Sequence, residues 1–168
     1  MKVTKPEIIG VLFAKLKPEK QDVFADVGCG SGSVSEFFAP YVAKVYAVDV
    51  DAKAIEASRK RLAGFENVEV IHMDGAEFLR NYDYDIVFFG GTKNIERMLK
   101  IASSKAKRVA VNAARVEVAV RVAEIMKKLE IFTEMLIVNV SKSYELAGLT
   151  AFKSLNPVFI VVGSVSDE

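Results

Sequence analysis

Hydrophobic positions recur along this chain at two alternating periods. Short runs at 23–27, 44–50, 68–73, 85–89 and 108–112 are rich in Val, Ile, Ala and Phe, the composition of strands covered on both faces. The segments between them place apolar residues three and four apart. Ile8, Leu12 and Leu16 make one such helical face, Ile55, Ser58 and Leu62 a second, and Val118, Val122, Ile125 and Leu129 a third. Thr4-Lys5-Pro6-Glu7 has the form of a capping box opening the first helix. Further helices are predicted from near Ser33 to before Pro40, around 76–80 and over 94–102.

The rhythm changes at the end. Residues 132–140 and 157–162 read as strands with no helix between them, so this pair is predicted to be antiparallel. Five β-α units followed by such a pair predict an α/β fold: a doubly wound, Rossmann-like, mostly parallel seven-stranded sheet with a terminal antiparallel hairpin. No repeat, low-complexity tract or linker divides residues 1–168, which read as a single domain with a polar tail at 164–168.

Composition narrows the function classes. With 51% hydrophobic and 27% charged residues the chain has the makings of a buried core. Lys and Arg total 23 against 22 Asp and Glu, so the net charge of +1 gives no global reason to bind nucleic acid or an anionic membrane. The sole cysteine, Cys29, has no disulfide partner, and with the sole histidine, His72, it is too little for a zinc site. A reduced, cytoplasmic, metal-free protein is the expectation. The apolar stretch 8–14 is too short to span a membrane.

Asp26-Val27-Gly28-Cys29-Gly30-Ser31-Gly32 joins a strand to a helix, where glycines permit a tight turn and close approach of a ligand to the backbone. The dinucleotide fingerprint places its third glycine one residue later, where Ser33 stands, so a pyrophosphate cradle is the weaker reading. Asp26 suits an ammonium group. Asp49, ending the second strand, sits where an acid accepts both ribose hydroxyls in doubly wound folds. Asp74 and Gly75 after the third strand offer a carboxylate and an N–H to an adenine edge. Glycines and acids also serve ordinary turns, but three acids at successive strand ends outweigh that reading. Amino acid, ribose and adenine together describe S-adenosylmethionine.

The chain resembles the cobalamin-pathway precorrin methyltransferases of the CbiT type. The resemblance runs nearly end to end, through Thr4, residues 26–32, Val45-Tyr46-Ala47-Val48-Asp49, residues 85–91 and Asn112-Ala113. Its most particular block is Asn139-Val140-Ser141-Lys142 with Leu146, Gly148, Thr150 and Asn156-Pro157-Val158. The resemblance implies a class I methyltransferase that uses S-adenosylmethionine to methylate C15 of (cobalt-)precorrin-6B and decarboxylates its C12 acetate. It implies cofactor contacts at Thr4, Gly28, Cys29, Gly30, Ser31, Gly32, Asp49 and Gly75, and a homotetramer joined in part by terminal hairpins. Departures cluster beyond the cofactor motifs: Thr92-Lys93-Asn94 follows Gly91 where relatives keep glycines, and Arg115 and Val118 replace a more apolar residue and a Thr.

Methyl transfer needs alignment and exclusion of water more than a catalytic triad, and none is present. A precorrin carries many carboxylates, so cations at the carboxyl rim of the sheet are the acceptor candidates: Lys93, Arg97, Arg115 and Lys142, with Tyr144 in the loop between the last two strands. Each alone also reads as a solvated surface residue. Cys29 reads as a small filler and His72 as a packed or hydrogen-bonded strand residue. Three alternatives stay open: a class I methyltransferase for another acceptor (tRNA, protein or small molecule), an NAD-dependent oxidoreductase, and a non-catalytic module binding the same cofactor.

Overall fold

The computed structural model describes residues 3–165. Helix α1 (Pro6–Leu16) leads into β1 (Val23–Val27), α2 (Ser33–Phe38) and a 3-10 turn (Ala39–Tyr41). Three further units follow: β2 (Lys44–Asp49) with α3 (Ala52–Leu62), β3 (Val68–His72) with α4 (Gly75–Asn81), and β4 (Ile86–Phe89) with α5 (Ile95–Ala102). The chain continues through β5 (Arg108–Ala113), α6 (Val116–Lys128), β6 (Phe132–Val138), β7 (Ser141–Leu146), β8 (Leu149–Ser154) and β9 (Val158–Ser164).

Seven strands form one sheet in the order β3-β2-β1-β4-β5-β9-β6, parallel from β3 to β5, with β9 antiparallel to both its neighbours. The doubly wound fold and its antiparallel end are as the sequence predicts. The order reverses at β1, so a crevice opens between β1 and β4 at their carboxyl ends, the place where such sheets bind ligands. The amino edge is closed instead. Asp22 takes Lys107 Nζ at 2.6 Å, and Asp85 accepts the Val23 N–H at 2.7 Å.

Strand alternation sorts side chains into two layers. Ala25, Val27, Val87, Phe89, Val109 and Val111 pack with α4, α5 and α6 on one face. Phe24, Phe88, Ala110 and Ile160 pack on the other with Ile8, Leu12 and Leu16 of α1 and Val34 and Phe38 of α2. Asp26 follows Phe24 by two residues and Asn112 follows Ala110 by two, so both point to the α1–α2 side.

Three local expectations change. Helix α1 begins at Pro6 with Lys5 as its N-cap and no side-chain cap, because Pro6 has a fixed φ suited to the first helical position and no N–H to satisfy. Thr4 therefore lies one residue outside the helix, and Glu7 pairs with Lys142 at 3.0 Å. The stretch between the last two sheet strands is no plain loop: β7 and β8 form a separate two-stranded hairpin turned by Ala147 and Gly148, both at positive φ. Of the expected tail, Ser164 ends β9 and Val165 packs on the core, while 166–168 lie outside the described residues. Among the described residues, no helix is long and apolar enough to cross a membrane, and no group of three metal-ligating side chains assembles.

Candidate active site

The carboxyl ends of β1, β2 and β3 and the segment after β4 enclose a cavity of about 640 Å³, within the range of cofactor pockets. Gly28, Asp49, Asp74, Gly75 and Lys93 all line it, brought together from four separate stretches of chain. Val27, Val48, Met73 and Met98 supply its apolar wall.

The glycine loop is held rigidly at one edge. Gly28, Gly30 and Gly32 all have positive φ (79°, 53° and 84°), a backbone conformation that side chains disfavour. The N–H groups of Gly28 and Cys29 both donate to the Val48 carbonyl, at 2.8 and 3.0 Å. Asp49 Oδ2 accepts the Gly30 N–H at 3.0 Å, and Ser58 Oγ donates to the Gly30 carbonyl at 2.8 Å. Asp49 Oδ1 accepts the Asp51 N–H at 3.0 Å, so the carboxylate is oriented from both sides and retains lone pairs toward the cavity.

Two glycines are required by their neighbours. A Cβ on Gly75 would lie 2.8 Å from both Met98 Sδ and Val27 Cγ1, and one on Gly90 would lie 2.5 Å from the Gly28 carbonyl oxygen. Asp74 caps α4 by accepting the Glu77 N–H at 3.1 Å, and its second oxygen has no hydrogen-bond partner among the described residues.

Beneath the loop, Asp26 is 1% exposed, and its Oδ2 accepts the Ser35 hydroxyl at 2.7 Å. Burial lifts its carboxyl from an ordinary 3.8 to about 7, against the Ser35 hydrogen bond and with a small push from Asp49. Among the described residues, Asp26 Oδ1 and Ser31 Oγ are buried without hydrogen-bond partners. Buried polar atoms of this kind are normally satisfied by ordered water or by a bound group. Cys29 has its Sγ 3.4 Å from Ser58 Oγ, and burial pushes its thiol up to about 12, so it is no nucleophile. His72 donates a ring N–H to the Val50 carbonyl at 2.8 Å.

Other sequence candidates lie elsewhere. Thr4 borders a second cavity of about 130 Å³ with Lys5, Ile8, Asn112, Ala113, Ala114 and Val158. Arg97 is exposed in the first turn of α5, and Arg115 is exposed as the N-cap of α6. Lys142 stands on β7 rather than in a loop, and its ammonium is engaged by Glu7. Tyr144 also lies on β7, 47% exposed. Sequence reasoning assigned no role to Met98, Asn94 or Asn112. Asn94 lines the large cavity with a φ of 59°, and the Gly90-Gly91 pair before it was the available signal. Asn112 was quoted only as part of the family resemblance; its buried, unbonded Oδ1 is seen in the structure alone.

Comparison with known proteins agrees with this architecture. The family model described as precorrin methyltransferase domain matches residues 1–163. A protein of Archaeoglobus fulgidus named probable cobalt-precorrin-6B C(15)-methyltransferase (decarboxylating) is 57% identical over 162 residues, covering 96% of this chain and 97% of that one. A Methanosarcina acetivorans protein of the same name is 44% identical over 170 residues, covering 95% and 92%. The crystal structure of precorrin 8w decarboxylase from Methanobacterium thermoautotrophicum superposes with a TM-score of 0.92 at 29% identity, covering 98% of this chain and 93% of that chain. A nucleoside-sized cavity at the sheet's switch point, a glycine loop locked beside it and an end-to-end match of sequence and fold converge: the chain belongs to the precorrin methyltransferase family.

Proposed function

We propose that this methyltransferase binds S-adenosylmethionine at the carboxyl edge of its sheet and methylates C15 of cobalt-precorrin-6B, with decarboxylation of the C12 acetate, in cobalamin biosynthesis. The observation that carries the reading is the meeting of Asp49, Asp74 and Gly75 in one cavity beside the glycine loop, in a chain of this family.

The residues present fit the cofactor. Asp26 Oδ1 and Ser31 Oγ, both buried without partners, suit an amino-acid tail, with the Asp26 carboxylate answering its ammonium. Asp49, fixed by two backbone N–H groups, is set to accept ribose hydroxyls. The free oxygen of Asp74 and the bare backbone at Gly75 border the place for an adenine edge. When bound, the sulfonium supplies an activated methyl group for in-line displacement. This chain's residues hold the reactants in line and keep water away, an effect worth up to about 7–11 kcal/mol. Lys93 on the cavity wall, with Arg97 and Arg115 on the same rim, answers the carboxylates of the acceptor.

The remaining parts of the reading follow from the same features. Residues 1–168 work as one catalytic domain in the cytoplasm, without nucleic-acid or membrane partners. The chain assembles as a homotetramer through the projecting hairpins, whose Leu146, Leu149 and Phe152 are left largely exposed. Incubation with S-adenosylmethionine and cobalt-precorrin-6B tests the central claim by mass spectrometry. Gain of one methyl group with loss of carbon dioxide is expected. An acceptor recovered unchanged from a protein that binds the cofactor would overturn the assignment.

A further inference from the structure

Helix α3 presents Ile55 and Leu62 to the interior, and Ser58 falls on the same stripe, fully buried. A hydroxyl on an apolar helix face costs stability unless it is hydrogen-bonded, and alanine would meet a need for small size alone. Ser58 Oγ donates to the Gly30 carbonyl at 2.8 Å. With its hydrogen committed there, the same oxygen accepts the Cys29 thiol, whose Sγ stands 3.4 Å away and which burial keeps protonated. The buried serine thus ties the helix to the glycine loop.

Gly30 is gripped on both sides. The peptide before it donates its N–H to Asp49 Oδ2 at 3.0 Å, and the peptide after it offers its carbonyl to Ser58. Between these two planes lie only the torsions of a glycine at a φ of 53°. Once the second plane is released, Gly30 has no side chain to limit how the first meets the carboxylate.

The links close a ring. Asp51 donates its N–H to Asp49 Oδ1 at 3.0 Å and caps α3 by accepting the Lys53 N–H at 3.0 Å. The helix rises about 10 Å from Asp51 to Ser58, which returns to the loop. Asp49 Oδ1 is therefore fixed by its own turn, while the hold on Oδ2 runs through Gly30 to α3. The ring is complete within the chain itself, so the carboxylate is oriented before any ligand arrives.

We infer that Ser58 is a positioning residue for ribose recognition: through Gly30 it holds the Asp49 carboxylate in the attitude that receives the sugar hydroxyls. The inference rests on the cofactor reading above and deepens it, because it adds a residue that touches no part of the ligand.

Adenosine and 2′,3′-dideoxyadenosine differ only in the two sugar hydroxyls. The ratio of their affinities therefore reports on Asp49 and is insensitive to a uniform loss of stability. Both are measured by competition with S-adenosylhomocysteine in isothermal titration. Wild type is expected to prefer adenosine, and Asp49→Ala to lose that preference. Ser58→Ala should lose about three- to tenfold of it, as fits the loosening of one hydrogen bond. In an Asp49→Ala background, Ser58→Ala should change the ratio no further, because its effect passes through that carboxylate. Ser58→Cys keeps the shape with a weaker donor and should fall between wild type and Ser58→Ala.

A Ser58→Ala protein that melts earlier but keeps the wild-type ratio overturns the inference and leaves the serine a packing residue. Should that variant fail to fold, a wild-type ratio in Ser58→Cys overturns it equally. So does a loss of the same size with and without Asp49, since the hydroxyl would then act on the loop independently of the acid. A preference for adenosine that survives Asp49→Ala would remove the ribose reading itself, and the role of Ser58 with it.

Discussion

Replacing Asp26 with Asn tests the electrostatics of the site more directly than any other single change. In the unfolded chain this carboxyl titrates near 3.8, and in the folded protein near 7 because burial disfavours its charged form. The folded state thus holds a proton that the unfolded state has released between those two values. Stability from this residue is complete below pH 3.8, falls as pH rises through the window, and is constant above pH 7. At about 1.4 kcal/mol for each pH unit the span amounts to about 4 kcal/mol, a ceiling because the site relaxes around the charge. Asn keeps the shape and still accepts the Ser35 hydroxyl, but it does not titrate.

Urea unfolding of both proteins from pH 4 to pH 8 checks the sign. The advantage of Asp26→Asn over wild type should grow by as much as about 4 kcal/mol up to pH 7 and then level off. A difference that stays flat across this range would refute the buried, proton-holding carboxyl. The same residue should make cofactor binding depend on pH, because an ammonium favours the ionised form. Wild-type affinity for S-adenosylhomocysteine should rise with pH and level off near 7, with proton release visible by calorimetry in buffers of different ionisation enthalpy. Asp26→Asn should bind more weakly and without that pH dependence.

The remaining predictions concern the cavity wall and the hairpin. Gly75→Ala should destabilise by about 1–3 kcal/mol in thermal unfolding, because its new methyl meets Met98 and Val27 at 2.8 Å. Asp49→Ala should weaken S-adenosylmethionine binding by about 1.5–3 kcal/mol in isothermal titration, and unchanged affinity would remove Asp49 from the site. If the hairpins join the proposed tetramer, Leu149→Glu together with Phe152→Glu, at positions 75% and 68% exposed, should shift sedimentation toward smaller species than wild type while leaving the fold intact.

Strand positions were legible because β1, β4 and β5 are short apolar runs buried on both faces of the sheet. The chemistry of the glycine loop and of Asp49 was legible for a related reason: positive φ and strand-end acids leave residue-type signatures. The capping box failed on a local competition, in which Pro6 took the first helical position and left Thr4 outside. The β7–β8 hairpin escaped notice because its two-stranded sheet has no buried face, so Ser141–Leu146 lacks the alternation that marks a half-buried strand. The placement of Lys142 depended on that hairpin. Asn112 entered the sequence reading only as a residue of the family resemblance, since the absence of a partner for its Oδ1 exists only in the folded chain.

The two ends of the site are built to different standards of rigidity, and this bears on how one fold accommodates large acceptors. On the cofactor side, Val48 accepts two loop N–H groups, Asp49 accepts two more, and Gly75 and Gly90 sit against neighbours that leave no space for a side chain. Change at Gly90 meets backbone, and change at Gly75 meets the side chains of Met98 and Val27. The smaller cavity is walled instead by the start of α1, the end of β5 and the start of β9, and the exposed Glu7–Lys142 ion pair ties α1 to the β7–β8 hairpin. An exposed ion pair of this kind contributes little to stability and yields readily. Surface residues around it can vary in size and charge without disturbing the hydrogen bonds of the glycine loop. Thr92-Lys93-Asn94 borders the large cavity and leads into α5, and on the proposed reading of Lys93 as an acceptor contact, substitutions in it should change acceptor KM more than cofactor affinity.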